Sequence, residues 1–201
     1  MRSFLTTRRA IFGIGIAVSL FACDGQSPSG TTSLSVMLKD APGDVQHAFV
    51  TITEVDLVGS GGVQVLTQTA TMVDLLTLAA STATLVDGVD VPSGSYEQLR
   101  FKISGACIAV DDGNGGSTAY ATDGYDSTSC GGPATDQLKA PSFAQSGLKV
   151  TLAGGALQLT GPEKILLVDF DVTQSFGHEA NGWVMHPVIT GAEITPGAQA
   201  Q

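Results

Sequence analysis

Positive charge is what this chain has least of: nine lysines and arginines stand against 19 acidic residues. Nucleic acid is therefore not an expected partner, because phosphate binding needs clustered Lys and Arg. The three histidines, His47, His178 and His186, are isolated, without the HxH or HExxH spacing of a zinc site, and read as structural or surface residues. No serine is set in a GxSxG elbow, since neither Ser93-Gly94 nor Ser146-Gly147 forms one, and no Ser-His-Asp order is recognisable. The one tryptophan, Trp183, reads as core or sheet edge rather than as a sugar-stacking platform. Internal repeats and heptads are absent. The apolar segment from Ala10 to Ala22 is far shorter than the roughly 20 residues a membrane-spanning helix needs.

That short segment is nonetheless informative. It follows a basic stretch, Met1 to Arg9, and ends in Leu20-Phe21-Ala22-Cys23, which resembles the lipobox of bacterial prolipoproteins. Residues 1–22 are thus expected to be a signal peptide, with Cys23 the lipidated first residue of an exported protein. The resemblance implies two or three acyl chains. At about 0.8 kcal/mol per buried CH2, one chain holds marginally and two or more hold stably. Thr7-Arg8-Arg9-Ala10-Ile11-Phe12 also looks like a twin-arginine export signal with its Phe one place late, so both this route and general secretion stay open. Asp24 resembles an inner-membrane retention signal of enteric bacteria; the expected address is the periplasmic side of the inner membrane, or the outer membrane. Cleavage removes Arg2, Arg8 and Arg9 and no acid, leaving six basic against 19 acidic residues and a net charge of −13.

Cys107 and Cys130 then remain as an even pair in an oxidising compartment. A disulfide between them would close a loop worth roughly 3 kcal/mol in the chain-entropy model. A metal or nucleophile cysteine is the competing reading, and it lacks both a CxxC pair and a nearby His.

Residues 23–33 read as lipidated Cys and flexible tether, 34–195 as a single domain and 196–201 as a tail. Leu34, Val36 and Leu38 alternate with Ser35, Met37 and Lys39, the period of a half-buried strand. Phe49 to Val58 changes apolar phase between Ile52 and Val55, which a β-bulge would accommodate. Val63 to Gln68 is a further short strand, and Met72 to Ala80 is the only plausible helical turn. Leu99, Phe101 and Ile103 alternate with Gln98, Arg100 and Lys102, so that Arg100 and Lys102 share a face and would oppose acidic cross-strand neighbours. Leu148 to Leu159, Ile165 to Val172 and Trp183 to Ile194 supply the remaining strands. The expected fold is all-β, an antiparallel β-sandwich of about seven to nine strands, with a loop insertion from Asp111 to Gly132 bracketed by the cysteines.

Six segments in order resemble one family. They are Leu38-Lys39-Asp40-Ala41-Pro42, Val50 to Val55, Asp74-Leu75-Leu76, Val91 to Arg100, Ser146 to Val150 and Leu167 to Val172. Together they are similar to the domain of unknown function 4382 family of bacterial and archaeal envelope lipoproteins, over about Leu34 to Thr195. The resemblance implies a lipid-anchored, transthyretin-like β-sandwich and brings no catalytic residues.

Two carboxylate sets are candidate cation sites. Asp111, Asp112 and Asn114, followed by Asp123 and Asp126, supply oxygens at a spacing faintly like a calcium loop, without the closing Glu at its twelfth position. An ordinary hairpin loop is the first reading there, with no cofactor, and weak calcium binding is the alternative. Asp169 and Asp171 are two apart on a strand and project to one face, as a metal site or an acid-base pair. The function expected first is a binding or adhesion module whose ligand is an envelope protein or polysaccharide. A structural subunit pairing through a strand edge is the alternative, and a metal-dependent hydrolase built on Asp169, Asp171 and a histidine is the second alternative.

Overall fold

The structure, a computed structural model, describes residues 30–41, 45–140 and 146–194. The expected signal peptide, Cys23, the tether as far as residue 29 and the tail lie outside the described residues. Strand begins at Thr31, so the last three residues assigned to the tether belong to the domain.

Most of the described chain is strand. β1 (Thr31–Ala41), β2 (His47–Gly59), β3 (Gly62–Thr67) and β4 (Thr71–Asp74) come first, followed by a 3-10 turn at Leu75–Ala80. β5 (Ala83–Pro92), β6 (Gly94–Asp111), β7 (Ser117–Ala121) and β8 (Asp136–Gln137) occupy the middle, with a second 3-10 turn at Thr128–Cys130. β9 (Leu148–Leu152), β10 (Leu157–Leu159) and β11 (Glu163–Asp171) lead to a helical turn, α1 (Val172–Ser175). β12 (Phe176–Glu179), β13 (Gly182–Met185) and β14 (Ile189–Ile194) complete the chain.

Twelve strands form one mixed sheet, eight along the path β3-β2-β6-β9-β14-β11-β1-β5 with β4, β7, β8 and β10 paired off it, and β12 with β13 forms a separate hairpin. The end strands β3 and β5 touch, which makes the sheet nearly a barrel. The expected all-antiparallel arrangement of seven to nine strands is corrected here: β1 runs parallel to β11, β9 to β14 and β7 to β8. Alternation along a strand reports which face is buried and is silent on the direction of its neighbour. β9 turns the corner of the barrel, pairing through Leu148 and Val150 with β6 and through Thr151 and Leu152 with β14. Gly191 makes that crossing possible, since a Cβ there would lie 3.1 Å from Val150 and 3.2 Å from Leu152.

The core is built from the alternating positions. Leu34, Val36 and Leu38 of β1, Leu99 and Phe101 of β6, and Leu166, Val168 and Phe170 of β11 are buried together. Each such side chain contributes about 1.5–3 kcal/mol of transfer free energy. Other expectations change in detail. The helical turn read over Met72 to Ala80 begins as strand β4, and its 3-10 part is capped by Asp74, whose carboxylate accepts from the Leu76 N–H at 3.2 Å. Trp183 to Ile194 divides into β13 and β14, which lie in different sheets. β5, rich in turn-like Asp and Gly, is strand because it pairs antiparallel with β1 around a bulge.

The two ends of the barrel differ. At the end where the chain enters, Gly30 accepts from the Ser93 N–H at 2.8 Å, Thr31 pairs with Pro92, and Gly59 pairs with both Tyr96 and Gly62. Thr32, fully buried, donates to the Gly161 carbonyl at 3.0 Å. The distal end carries the Asp111–Ser117 hairpin turn, the 3-10 turn with buried Leu75 and Leu78, α1 and the β12–β13 hairpin. Cys107 and Cys130 are disulfide-bonded as expected, with Cα atoms 6.2 Å apart. The bridge closes a small second core of Ala109, Ala119 and Ala121 beneath Phe49 and Tyr125.

Candidate functional site

The bulge between Ile52 and Glu54, where the sequence changes phase, turns Val55 and Leu57 into the core and Glu54 and Asp56 to the outer face. There Glu54 lies opposite Lys102 and Asp56 opposite Arg100, the acidic cross-strand neighbours that β6 called for. Asp56 also faces Val65 of β3, and Arg100 faces Lys149 of β9. One rung, Val65–Asp56–Arg100–Lys149, therefore crosses four strands, a span of about 14 Å at ~4.8 Å per strand.

The rung is not neutralised pairwise. Lys102 is ion-paired with Glu54, whose other oxygen accepts from Gln68 Nε2 at 2.8 Å. Arg100 instead donates from Nε and Nη2 to Gln98 Oε1, at 3.0 and 2.8 Å. Among the described residues no carboxylate is ion-paired with Arg100 or Lys149. Asp56 is only 5% exposed, and its Oδ1 has no hydrogen-bond partner. Burial, and then Glu54 beside it, push the Asp56 carboxyl above the usual aspartate range; Lys102 and Gln68 hold Glu54 below the usual glutamate range.

These shifts oppose each other in stability. A raised carboxyl binds its proton more tightly in the folded protein, so the Asp56 contribution is present at low pH and is lost as pH rises through its folded value. Glu54 contributes above the ordinary glutamate range, and its share is lost as pH falls through its lowered value. Asp56→Asn removes only the first effect. The variant is expected to melt above the parent by a gap that widens as pH rises from the ordinary aspartate range through the raised Asp56 value. At neutral pH the gap should be on the order of 1 kcal/mol, the cost of one badly satisfied buried oxygen. Thermal melts across that range check it, and a gap independent of pH refutes the assignment.

The sequence candidates are placed as follows. Asp111 Oδ1 accepts from the Gly113 N–H at 2.7 Å, and Asp112 Oδ1 from the Asn114 and Gly116 N–H groups at 2.8 and 3.0 Å. Asn114 Nδ2 donates to the Asp112 carbonyl at 3.2 Å, so all three residues build the hairpin turn. Asp126 Oδ1 accepts from the Thr128 N–H at 2.9 Å and hydroxyl at 2.6 Å, and these bonds hold its carboxyl below the usual range. Asp169 is ion-paired with Lys39 at 2.9 Å, and Asp171 accepts from the Gln174 N–H at 3.0 Å as the cap of α1. No group of three His, Cys, Asp or Glu side chains suited to a metal occurs among the described residues. His47 bonds Asp74 at 2.8 Å, His186 lies 3.7 Å from Glu179, and His178 stacks edge-on against Trp183 at 5.5 Å. The Tyr120 ring lies 6.1 Å from that of Trp183, which packs against the core.

Asp56 was not singled out in the sequence. The signal was available as two acids at Glu54 and Asp56 just past a phase change, facing the basic side of another strand, but pairing β2 with β6 needed the fold. Fold and site together define a mostly β, disulfide-stapled domain with a charged outer sheet face. The chain belongs to the family described as Domain of unknown function (DUF4382), whose model matches residues 31–187. No curated protein and no solved structure matches it.

Proposed function

We propose that this is an exported protein, anchored through lipid on Cys23 to the periplasmic face of the inner membrane or to the outer membrane, that serves as a binding module rather than an enzyme. The observation that carries this reading is the Cys107–Cys130 bridge at the distal half of the barrel. Disulfides persist in oxidising compartments, which supports export. A loop stapled far from the point of chain entry supports display, because binding residues are commonly carried by loops on a rigid scaffold.

The segment that follows β8, just beyond the stapled insertion, clasps the β12–β13 hairpin. Lys139 donates its N–H to the Trp183 carbonyl at 3.0 Å and accepts from Met185 at 2.8 Å. An envelope protein or polysaccharide is the ligand class of this proposal, met on that clasped surface around Trp183 and His178. Calcium held by Asp111, Asp112 and Asn114 would be an accessory to the same loop, and a calcium titration of the melting temperature tests it. The strand-edge reading is less supported because β3, although uncharged, leans on β5. The hydrolase reading is less supported because Asp169 and Asp171 are engaged by Lys39 and by the α1 cap.

Cys23→Ser is expected to abolish palmitate labelling and to release the protein from the membrane fraction or leave it as uncleaved precursor. Labelling that persists in the variant overturns the anchor.

A further inference from the structure

Two cations placed directly opposite each other across a strand pair are destabilising unless something negative faces them. Arg100 and Lys149 are such a pair: Asp56 lies opposite Arg100 on its other side, but among the described residues no carboxylate is ion-paired with either cation, and none stands opposite Lys149. They are scarce residues: outside the leader the chain has only six lysines and arginines, and Arg100, Lys102 and Lys149 put three of them on this one face. Two strands away on the same face stand Val63 and Val65, 53% and 49% exposed, both on β3. Exposed apolar side chains beside unpaired cations are the composition of a surface that lies against anionic lipid headgroups.

The position of the face agrees. β3 begins at Gly62, at the end of the barrel where the chain enters through Gly30 and Thr31. Gly30 is only seven positions on from Cys23. A flexible chain of that length has a root-mean-square reach of about 15 Å, and about 25 Å fully extended. The connections gathered at this end, Ser60-Gly61, Ser93, Ala153 to Ala156 and Thr160 to Pro162, contain no charged residue. The nearest acids stand on the flanks: Glu163 next to Pro162, Asp90 two residues before Pro92, Glu193 one before Ile194 and Glu97 four after Ser93. Asp111, Asp112, Asp171 and Glu179 lie at the opposite end. A molecule this acidic is repelled by an anionic surface in most orientations. The charge-free entry end, turned onto the β3–β2–β6–β9 flank, is the orientation that is not.

We infer that the outer face of β3, β2, β6 and β9, through Val63, Val65, Arg100, Lys102 and Lys149, docks on the anionic headgroups of the membrane that holds Cys23. The inference rests on the lipid anchor proposed above. It leaves the stapled insertion and the Trp183 hairpin turned outward.

The test uses the full lipidated chain in vesicles containing an anionic lipid and a lipid with a nickel-chelating headgroup. A nitroxide is attached at Val65→Cys, or in a second variant at Asn114→Cys on the distal turn. Nickel-induced relaxation is expected to be clearly stronger at position 65 than at 114. Arg100→Gln with Lys149→Gln should erase that difference, because each cation near an anionic surface is worth about fivefold, or about thirtyfold for the two, in preference for this orientation. Equal relaxation at the two positions, or a difference indifferent to the double substitution, overturns the docking and leaves this face to a protein or polymer partner. Loss of palmitate labelling from the unsubstituted chain would instead remove the anchor itself. Labelled, vesicle-bound protein with equal relaxation removes only the orientation.

Discussion

Replacing both Cys107 and Cys130 with Ser is expected to destabilise the domain by about 3 kcal/mol, which at this chain length lowers the melting temperature by roughly 6–12 °C. The two residues are 23 apart in sequence, and the bridge removes the corresponding loop freedom from the unfolded chain. It also holds the second small core shut, because Cys130 is the insertion's own contribution to that core beside Ala119 and Ala121. Melting with and without reductant measures the effect, and alkylation of the native, non-reduced protein should leave both thiols unlabelled. A shift below about 2 °C would mean that the insertion is held by its strands, β7 on β6 and β8 on β7, and not by the staple.

Gly105→Ala should be the costliest methyl group in the same region. A Cβ at this position would lie 2.4 Å from the Tyr125 ring and 2.9 Å from Thr122 Oγ1. Both neighbours anchor the insertion to the sheet: Tyr125 bonds Thr51 through its hydroxyl at 2.8 Å, and Thr122 Oγ1 accepts from the Ala106 N–H at 3.0 Å. Moving the ring therefore loses packing and a hydrogen bond together, and about 1–3 kcal/mol is expected for this overpacking. Gly61→Ala, where a Cβ meets nothing within 4 Å, is the control and should be within about 0.5 kcal/mol of neutral. Combining Gly105→Ala with Tyr125→Ala should cost less than the two singles summed, since the second substitution removes the obstacle met by the first. Additive losses would show that the strain falls on Thr122 or on the backbone.

Both effects concern a loop whose existence was readable in the sequence and whose seat was not. The Gly-, Asp- and Ser-rich run between the cysteines marks an insertion by composition alone. That it lies on Gly105 depends on Tyr125 reaching Thr51 of β2, a contact between residues 74 apart in the chain. Asp56 follows the same logic. Its burial arises because β3, β2, β6 and β9 place Val65, Glu54, Arg100 and Lys102 around it, and no window of the sequence contains all four strands.

What the sequence by itself determined is local: the alternation of β1, β6 and β11, the bulge after Ile52, the cysteine pair, the scarcity of positive charge and the ordered motifs of the family. Each depends on the two-residue period of extended chain or on the chemistry of a short segment, and such features hold whatever the strand's neighbours. The tertiary structure alone decided the parallel pairing of β1 with β11 and of β9 with β14, the near-closure of the barrel, the division of Trp183 to Ile194 between two sheets and the strand character of β5. It also decided that Asp169 and Asp171 are taken by Lys39 and by a helix cap, while Arg100 stands between Asp56 and Lys149 and is ion-paired with neither a described Asp nor a described Glu. Neighbour choice and register are set by the requirement that one core be filled from both sides at once. That requirement is a property of the whole fold, and a side chain's partners follow from it.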